Sequence, residues 1–105
     1  VEPKTLVHGA LMLNPIARTC TLDGQPVALT PTEFTLLEML MRHPGIALSR
    51  EQLITEALGY DYAAYERTID AHIRNLRRKI ERDIQNPTYI LTVFGTGYRF
   101  AEREG

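Results

Sequence analysis

An α+β domain is predicted for this chain, with strands at both ends and three helices between them. Three observations carry the expectation. Residues 6–29 run apolar or alternate between the turn signals Asn14-Pro15 and Asp23-Gly24. Two helix starts follow, each with a matched pair of capping residues: Thr30 with Glu33, then Ser49 with Gln52. Residues 66–82, ERTIDAHIRNLRRKIER, then carry apolar residues at helical period before the chain closes on two short strands.

The N-terminal part reads as a small antiparallel sheet. Leu6–Leu13 is an apolar strand that stops at Asn14-Pro15, and Arg18–Leu22 alternates with β-branched residues. Asp23-Gly24 is a strong two-residue hairpin signal, and Gln25–Leu29 returns as the partner strand. The expected role is scaffold, with His8 and Cys20 as ordinary strand residues. In the first helix Pro31 occupies the first helical position behind the Thr30 cap. Phe34, Leu37 and Met41 with Leu36 and Leu40 make two overlapping apolar rows, so this helix is expected to be largely buried. His43-Pro44-Gly45 ends it. The second helix starts behind Ser49, turns Leu53, Ile54, Ala57 and Leu58 inward and stops at Gly59. The short connection at 44–48 makes the two helices neighbours.

Residues 59–65, GYDYAAY, form a tyrosine-rich loop. Tyr60, Tyr62 and Tyr65 could pack on the core, touch phosphates or meet a protein partner. The third helix, expected over 66–82, places Ile69, Ile73, Leu76 and Ile80 on one narrow stripe at about 100° per residue. Arg67, Ala71, Arg74 and Arg78 lie opposite, with Asn75 and Arg82 slightly turned. Such a face suits a DNA groove: arginines reach phosphates and base edges, and Ala71 lets the backbone approach. A solvated cationic surface helix is the competing reading of the same stretch. Lys79 and Arg82 read as solvated, adding only field. Gln85-Asn86-Pro87 breaks the chain, and Tyr89–Val93 and Tyr98–Ala101 form a hairpin around Phe94-Gly95-Thr96-Gly97. Sheet, helix, helix, loop, basic helix and hairpin together make a winged helix-turn-helix, in which the hairpin lies beside DNA when the third helix enters the major groove.

Composition sets the limits. One hundred and five residues make one domain, 1–105, able to hold its own core. Val1-Glu2-Pro3-Lys4 does not read as a secretory leader, and no apolar run approaches the roughly 18 residues of a membrane span. One cysteine excludes an internal disulfide and suits a reducing cytosol. Cys20, His8, His43 and His72 lack metal-ligand spacing, so neither a metal nor a cofactor is expected. The net charge of −1 is unevenly spread: residues 1–65 carry −3, residues 66–82 carry +3 and residues 83–105 carry −1. Positive charge is concentrated in one helix of an otherwise acidic domain.

Three segments in order, LTPTEFTLLEMLMRHPGIALSREQL, ERTIDAHIRNLRRKIE and TVFGTGYRF, resemble the effector domain of OmpR/PhoB-type response regulators from about Leu11 to Phe100. The resemblance implies a cytoplasmic bacterial transcription regulator. It also implies a four-stranded sheet at the start of the domain and a phosphorylatable receiver domain, controlled by a sensor kinase, ahead of it. The receiver is not in this chain, which is expected to be an isolated effector domain. By position, Arg67, Thr68, His72, Arg77 and Tyr98 resemble phosphate contacts. Arg74 resembles a groove-facing residue, and Ala71 and Asn75 sit where relatives present base readers. Thr92, Phe94 and Thr96 belong to the wing near the minor groove, and Arg78 completes the basic face. Tyr60, Asp61 and Tyr62 match a loop that in some relatives meets RNA polymerase. Phe94 stands where many relatives have arginine, and Leu58 where many have tryptophan.

The leading function is sequence-specific binding of double-stranded DNA, with tandem half-sites as targets. A winged helix used for protein contacts is the alternative. An enzyme is not expected: no nucleophile–base set is suggested by position, and Gly95-Thr96-Gly97 reads as a hairpin turn rather than a phosphate loop.

Overall fold

The computed structural model of the chain describes residues 5–59 and 67–102. A four-stranded antiparallel sheet opens the domain: β1 (Leu6–His8), β2 (Leu11–Asn14), β3 (Thr19–Leu22) and β4 (Gln25–Pro26), in that spatial order. Three helices follow, α1 (Pro31–Arg42), α2 (Arg50–Leu58) and α3 (Arg67–Ile80). A short strand, β5 (Leu48–Ser49), lies between α1 and α2, and β6 (Ile90–Val93) and β7 (Gly97–Phe100) close the chain. This is the α+β winged helix that the sequence predicts.

Both capping boxes form. Thr30 Oγ1 accepts from the Glu33 amide and Glu33 Oε1 from the Thr30 amide, each at 3.1 Å. Ser49 Oγ accepts from the Gln52 amide at 3.0 Å and Gln52 Oε1 from the Ser49 amide at 2.8 Å. Each cap satisfies helix-end donors that would otherwise need water, at about 1 kcal/mol. The helices therefore start at the residues the sequence marks.

Three expectations need correction, and the C-terminal hairpin gains a strand. Leu6–Leu13 is two strands, because Gly9 takes a positive φ of 59° and the chain folds back, pairing Leu6 with Leu13. The strand expected over 25–29 ends at Pro26: Pro26 has no amide proton, and Val27 gives its N–H to the Cys20 carbonyl before the chain leaves for α1. The C-terminal hairpin forms as expected, and β5 adds to it to make a three-stranded sheet of order β5-β7-β6. Gly97 permits it, since a Cβ there would stand 2.2 Å from the Leu48 carbonyl oxygen. The third helix stops at Ile80 rather than residue 82. Glu81 is 8% exposed, and its carboxylate accepts from the amides of Thr88, Tyr89 and Ile90 at 2.8–3.2 Å. The helix end is thus tied to the start of β6.

One core joins both sheets and all three helices. Leu11 and Leu13 from β2, Leu36, Leu37 and Leu40 from α1, Leu53 and Ile54 from α2, and Ile69, Ile73, Leu76 and Ile80 from α3 are fully buried. α1 is central: it packs on α2, α3, β1 and β7. At the opposite seam, the His8 ring meets Phe100 edge-on at 5.0 Å and Tyr89 at 5.7 Å, joining the first sheet to the wing. His8 and the buried Cys20 are structural; burial pushes the Cys20 thiol pKa up and keeps it protonated.

Candidate nucleic-acid interface

Four fully buried residues fix the rotation of α3. With Ile69 set at zero, Ile73, Leu76 and Ile80 fall within about 40° of it, and Arg74, Arg78, Ala71 and Asn75 fall at about 140°, 180°, 200° and 240°. All four of the latter are exposed. Because each isoleucine or leucine removes an apolar side chain from water, a worth of about 1.5–3 kcal/mol, the helix cannot roll without losing several at once. The polar face is therefore presented in one orientation.

The two flanks of α3 are used differently. Asp70 and Arg77 lie at about 100° and 80°, on the flank beside the wing. Arg77 Nη2 donates to the Ile90 carbonyl at 2.9 Å and to Thr92 Oγ1 at 2.8 Å, and Nε donates to the same carbonyl at 3.2 Å. Its guanidinium carbon stands 5.3 Å from the Tyr98 ring centre. The Tyr98 hydroxyl, in a residue only 5% exposed, donates to Asp70 Oδ1 at 2.6 Å, and Arg50 Nε donates to the same oxygen at 2.8 Å. Burial and the Asp70 carboxylate raise the Tyr98 pKa, so the hydroxyl stays a neutral donor. The other flank faces α1. There Lys79 Nζ reaches Glu33 Oε1 at 2.6 Å, and Glu33 is 3% exposed.

These contacts sort the residues singled out in the sequence. Ala71, Arg74, Asn75 and Arg78 are brought together on the outward face, with Thr68 exposed on the first turn. His72 is half-buried on the Lys79 flank. Arg77, Thr92 and Tyr98 are joined to one another inside the domain, in positions that tie the helix to the wing. Phe94 is 93% exposed at the wing tip, and Thr96 beside it donates its amide to the Val93 carbonyl at 3.0 Å. Arg67 opens α3, but its side chain lies outside the described residues, as does that of Leu58. Tyr60, Asp61 and Tyr62 also lie outside them. Lys79 is not solvated as expected: it pairs with a buried carboxylate. Arg82 is, with its side chain 89% exposed and 3.7 Å from Asp23.

Arg50, Asp70, Glu81 and the pairing of Glu33 with Lys79 were not anticipated. Helical phase could have flagged Asp70, which shares a flank with Arg77 one heptad on. The partners of Arg50 and Glu81 lie 20 and at least 7 residues away, and no local pattern encodes them.

The comparisons give the family and the fold. Residues 24–100 match the family described as transcriptional regulatory protein, C terminal. The chain is 46% identical over 97 residues to the alkaline phosphatase synthesis transcriptional regulatory protein SphR of Synechococcus elongatus, covering 92% of this chain and 38% of that protein. It is 41% identical over 95 residues to the phosphate regulon transcriptional regulatory protein PhoB of Pseudomonas aeruginosa, covering 90% of this chain and 41% of that protein. It thus spans about two-fifths of the length of these relatives. Among solved structures, the DNA-binding domain of Klebsiella pneumoniae RstA in complex with the RstA box matches with a TM-score of 0.85 and 35% identity, over 93% of this chain and 97% of that one.

Proposed function

Because the chain belongs to the transcriptional regulatory protein, C-terminal family, we propose that it is an OmpR/PhoB-type effector domain that binds double-stranded DNA sequence-specifically and so regulates transcription. One observation supports this most. The exposed face Ala71, Arg74, Asn75 and Arg78 stands opposite four fully buried residues, beside a wing braced against the same helix. A helix held in that way enters the major groove as a rigid body, and the wing approaches the neighbouring minor groove. Arg74 and Arg78 contact phosphates and guanine edges, and Asn75 and Ala71 read bases. Thr68 and His72 contact phosphates at the flanks, together with Arg67. The reaction is recognition, not catalysis.

In the longer protein a receiver domain, controlled by a sensor kinase, governs pairing on tandem half-sites. The protein works in the cytoplasm, and residues 60–62 meet RNA polymerase. No helix among the described residues is long and apolar enough to cross a membrane.

A salt titration of duplex binding tests the reading. The affinity of the parent falls steeply with salt and keeps a preference for a selected site over random DNA. Arg74→Ala and Arg78→Ala each lower the slope of log affinity against log salt by about 1. If both variants match the parent at every salt concentration, the docking face is wrong. A parent that shows no preference for any sequence points instead to a protein-contact module.

A further inference from the structure

Asp70 is the single acid within α3, whose other ionisable side chains are cationic or histidine. On a helix that meets phosphates, a carboxylate is unfavourable by simple Coulomb repulsion. Its surroundings give it another role. One oxygen, Oδ1, accepts from Tyr98 of β7 at 2.6 Å and from Arg50, the first residue of α2, at 2.8 Å. Three elements therefore meet at one atom: the recognition helix, the wing and the start of α2. Partial burial pushes the Asp70 pKa up, but the bonds from Tyr98 and Arg50, with the charges of Arg50 and Arg74, outweigh this and hold it below the usual carboxylate value. The group is ionised at neutral pH and its charge is met from inside the domain. The Tyr98 ring it holds also lies beside both guanidiniums, 5.6 Å from that of Arg50 and 5.3 Å from that of Arg77. Arg77 carries the link on to β6 through Thr92.

We propose that Asp70 is a positioning residue for DNA recognition: it fixes the wing and the start of α2 against the recognition helix, so that helix and wing engage one site together. The inference rests on the DNA-binding reading above. Asp70 touches no DNA; it acts through Tyr98 and Arg50. A braced wing adds its contacts without first being ordered, and that gain applies only where the wing fits the site.

The sign of one substitution separates positioning from bare charge. Asp70→Ala removes a negative charge near phosphates together with the oxygen that accepts from Tyr98 and Arg50, and electrostatics alone would tighten binding to every duplex. A lost brace weakens binding to the selected site only. Tyr98→Phe removes one of these two hydrogen bonds without changing charge. The experiment measures affinity of the 105-residue chain and these variants for a selected and a random duplex, well below each melting temperature. The expected result is a loss on the order of tenfold on the selected duplex, the scale of coupling within one side-chain network. Binding to the random duplex stays equal or tightens. The double variant loses less than the product of the two single losses. Equal losses on both duplexes would indicate a folding defect and overturn the proposal, as would an Asp70→Ala chain that binds the selected site as well as the parent. A parent that fails to discriminate between the duplexes overturns the DNA-binding reading itself, and the inference with it.

Discussion

Arg77 separates two accounts of the basic helix, because its position invites a phosphate contact while its guanidinium is used inside the domain. Arg77→Ala removes three hydrogen bonds to two acceptors, the Ile90 carbonyl and Thr92 Oγ1, and uncovers one side of the Tyr98 ring. Hydrogen bonds to a charged donor are worth about 1.5–3 kcal/mol net. Ile90 is fully buried and Thr92 half-buried, so the carbonyl bears most of the loss and the total expected is roughly 2–3 kcal/mol. Arg77→Lys keeps the charge and one bond but not the fork, and should cost about half of that. Urea unfolding reads both, as lower midpoints at an unchanged m-value. A salt titration of DNA binding gives the second readout. A guanidinium committed to the wing releases no counterion, so neither variant changes the salt slope. An Arg77→Ala domain with an unchanged urea midpoint and a salt slope lower by about 1 would show that Arg77 meets phosphate, and would refute the argument.

Three further outcomes follow from the packing. Ile73 is fully buried in the middle of the α3 stripe, and Ile73→Ala should lower stability by roughly 2–5 kcal/mol in urea or thermal melts. An unchanged melt would mean that the helix is rolled. Glu81→Ala leaves three backbone amides without their acceptor, only that of Ile90 lying in a buried residue, and should cost about 2–3 kcal/mol by the same unfolding assay. Phe94 is 93% exposed, so Phe94→Arg should leave the melting temperature alone while tightening binding to sites flanked by A-tracts, whose narrow minor groove attracts cations. No gain on any A-tract-flanked duplex would remove the wing tip from recognition.

The elements that local chemistry specifies were legible in the sequence. Both helix starts follow from capping boxes that span only four residues, and the α3 stripe follows from a 3.6-residue period that the core then enforces. The Asp23-Gly24 hairpin is equally local: both residues take positive φ, 53° and 78°. What was not legible depends on partners distant in sequence. β5 exists only because Gly97, 48 residues later, lets two backbones approach Ser49. The end of α3 depends on Glu81 turning inward to amides that follow a loop. Helical phase separated the exposed face of α3 from its buried stripe, but it could not tell which flank cations were already taken. Arg77 and Lys79 resemble Arg74 and Arg78 in sequence, and differ because the wing and Glu33 stand next to them. The outward face was therefore read well, and the bracing behind it was not.

The central claim is that the Ala71, Arg74, Asn75 and Arg78 face reads bases in the major groove. Selection of bound sequences from random DNA, run for the parent and for Asn75→Arg, tests it most directly. The Asn75 amide both donates and accepts, which matches adenine N6 and N7, and a good bidentate contact is worth roughly 1–3 kcal/mol of discrimination. Ala71, one turn earlier, offers a methyl suited to thymine. The parent should enrich a motif with an adenine and a nearby thymine. The Asn75→Arg motif should differ at one base pair, moved from A·T to G·C, because arginine pairs with guanine O6 and N7. Identical motifs from the two proteins, or no enriched motif from the parent, would contradict the account.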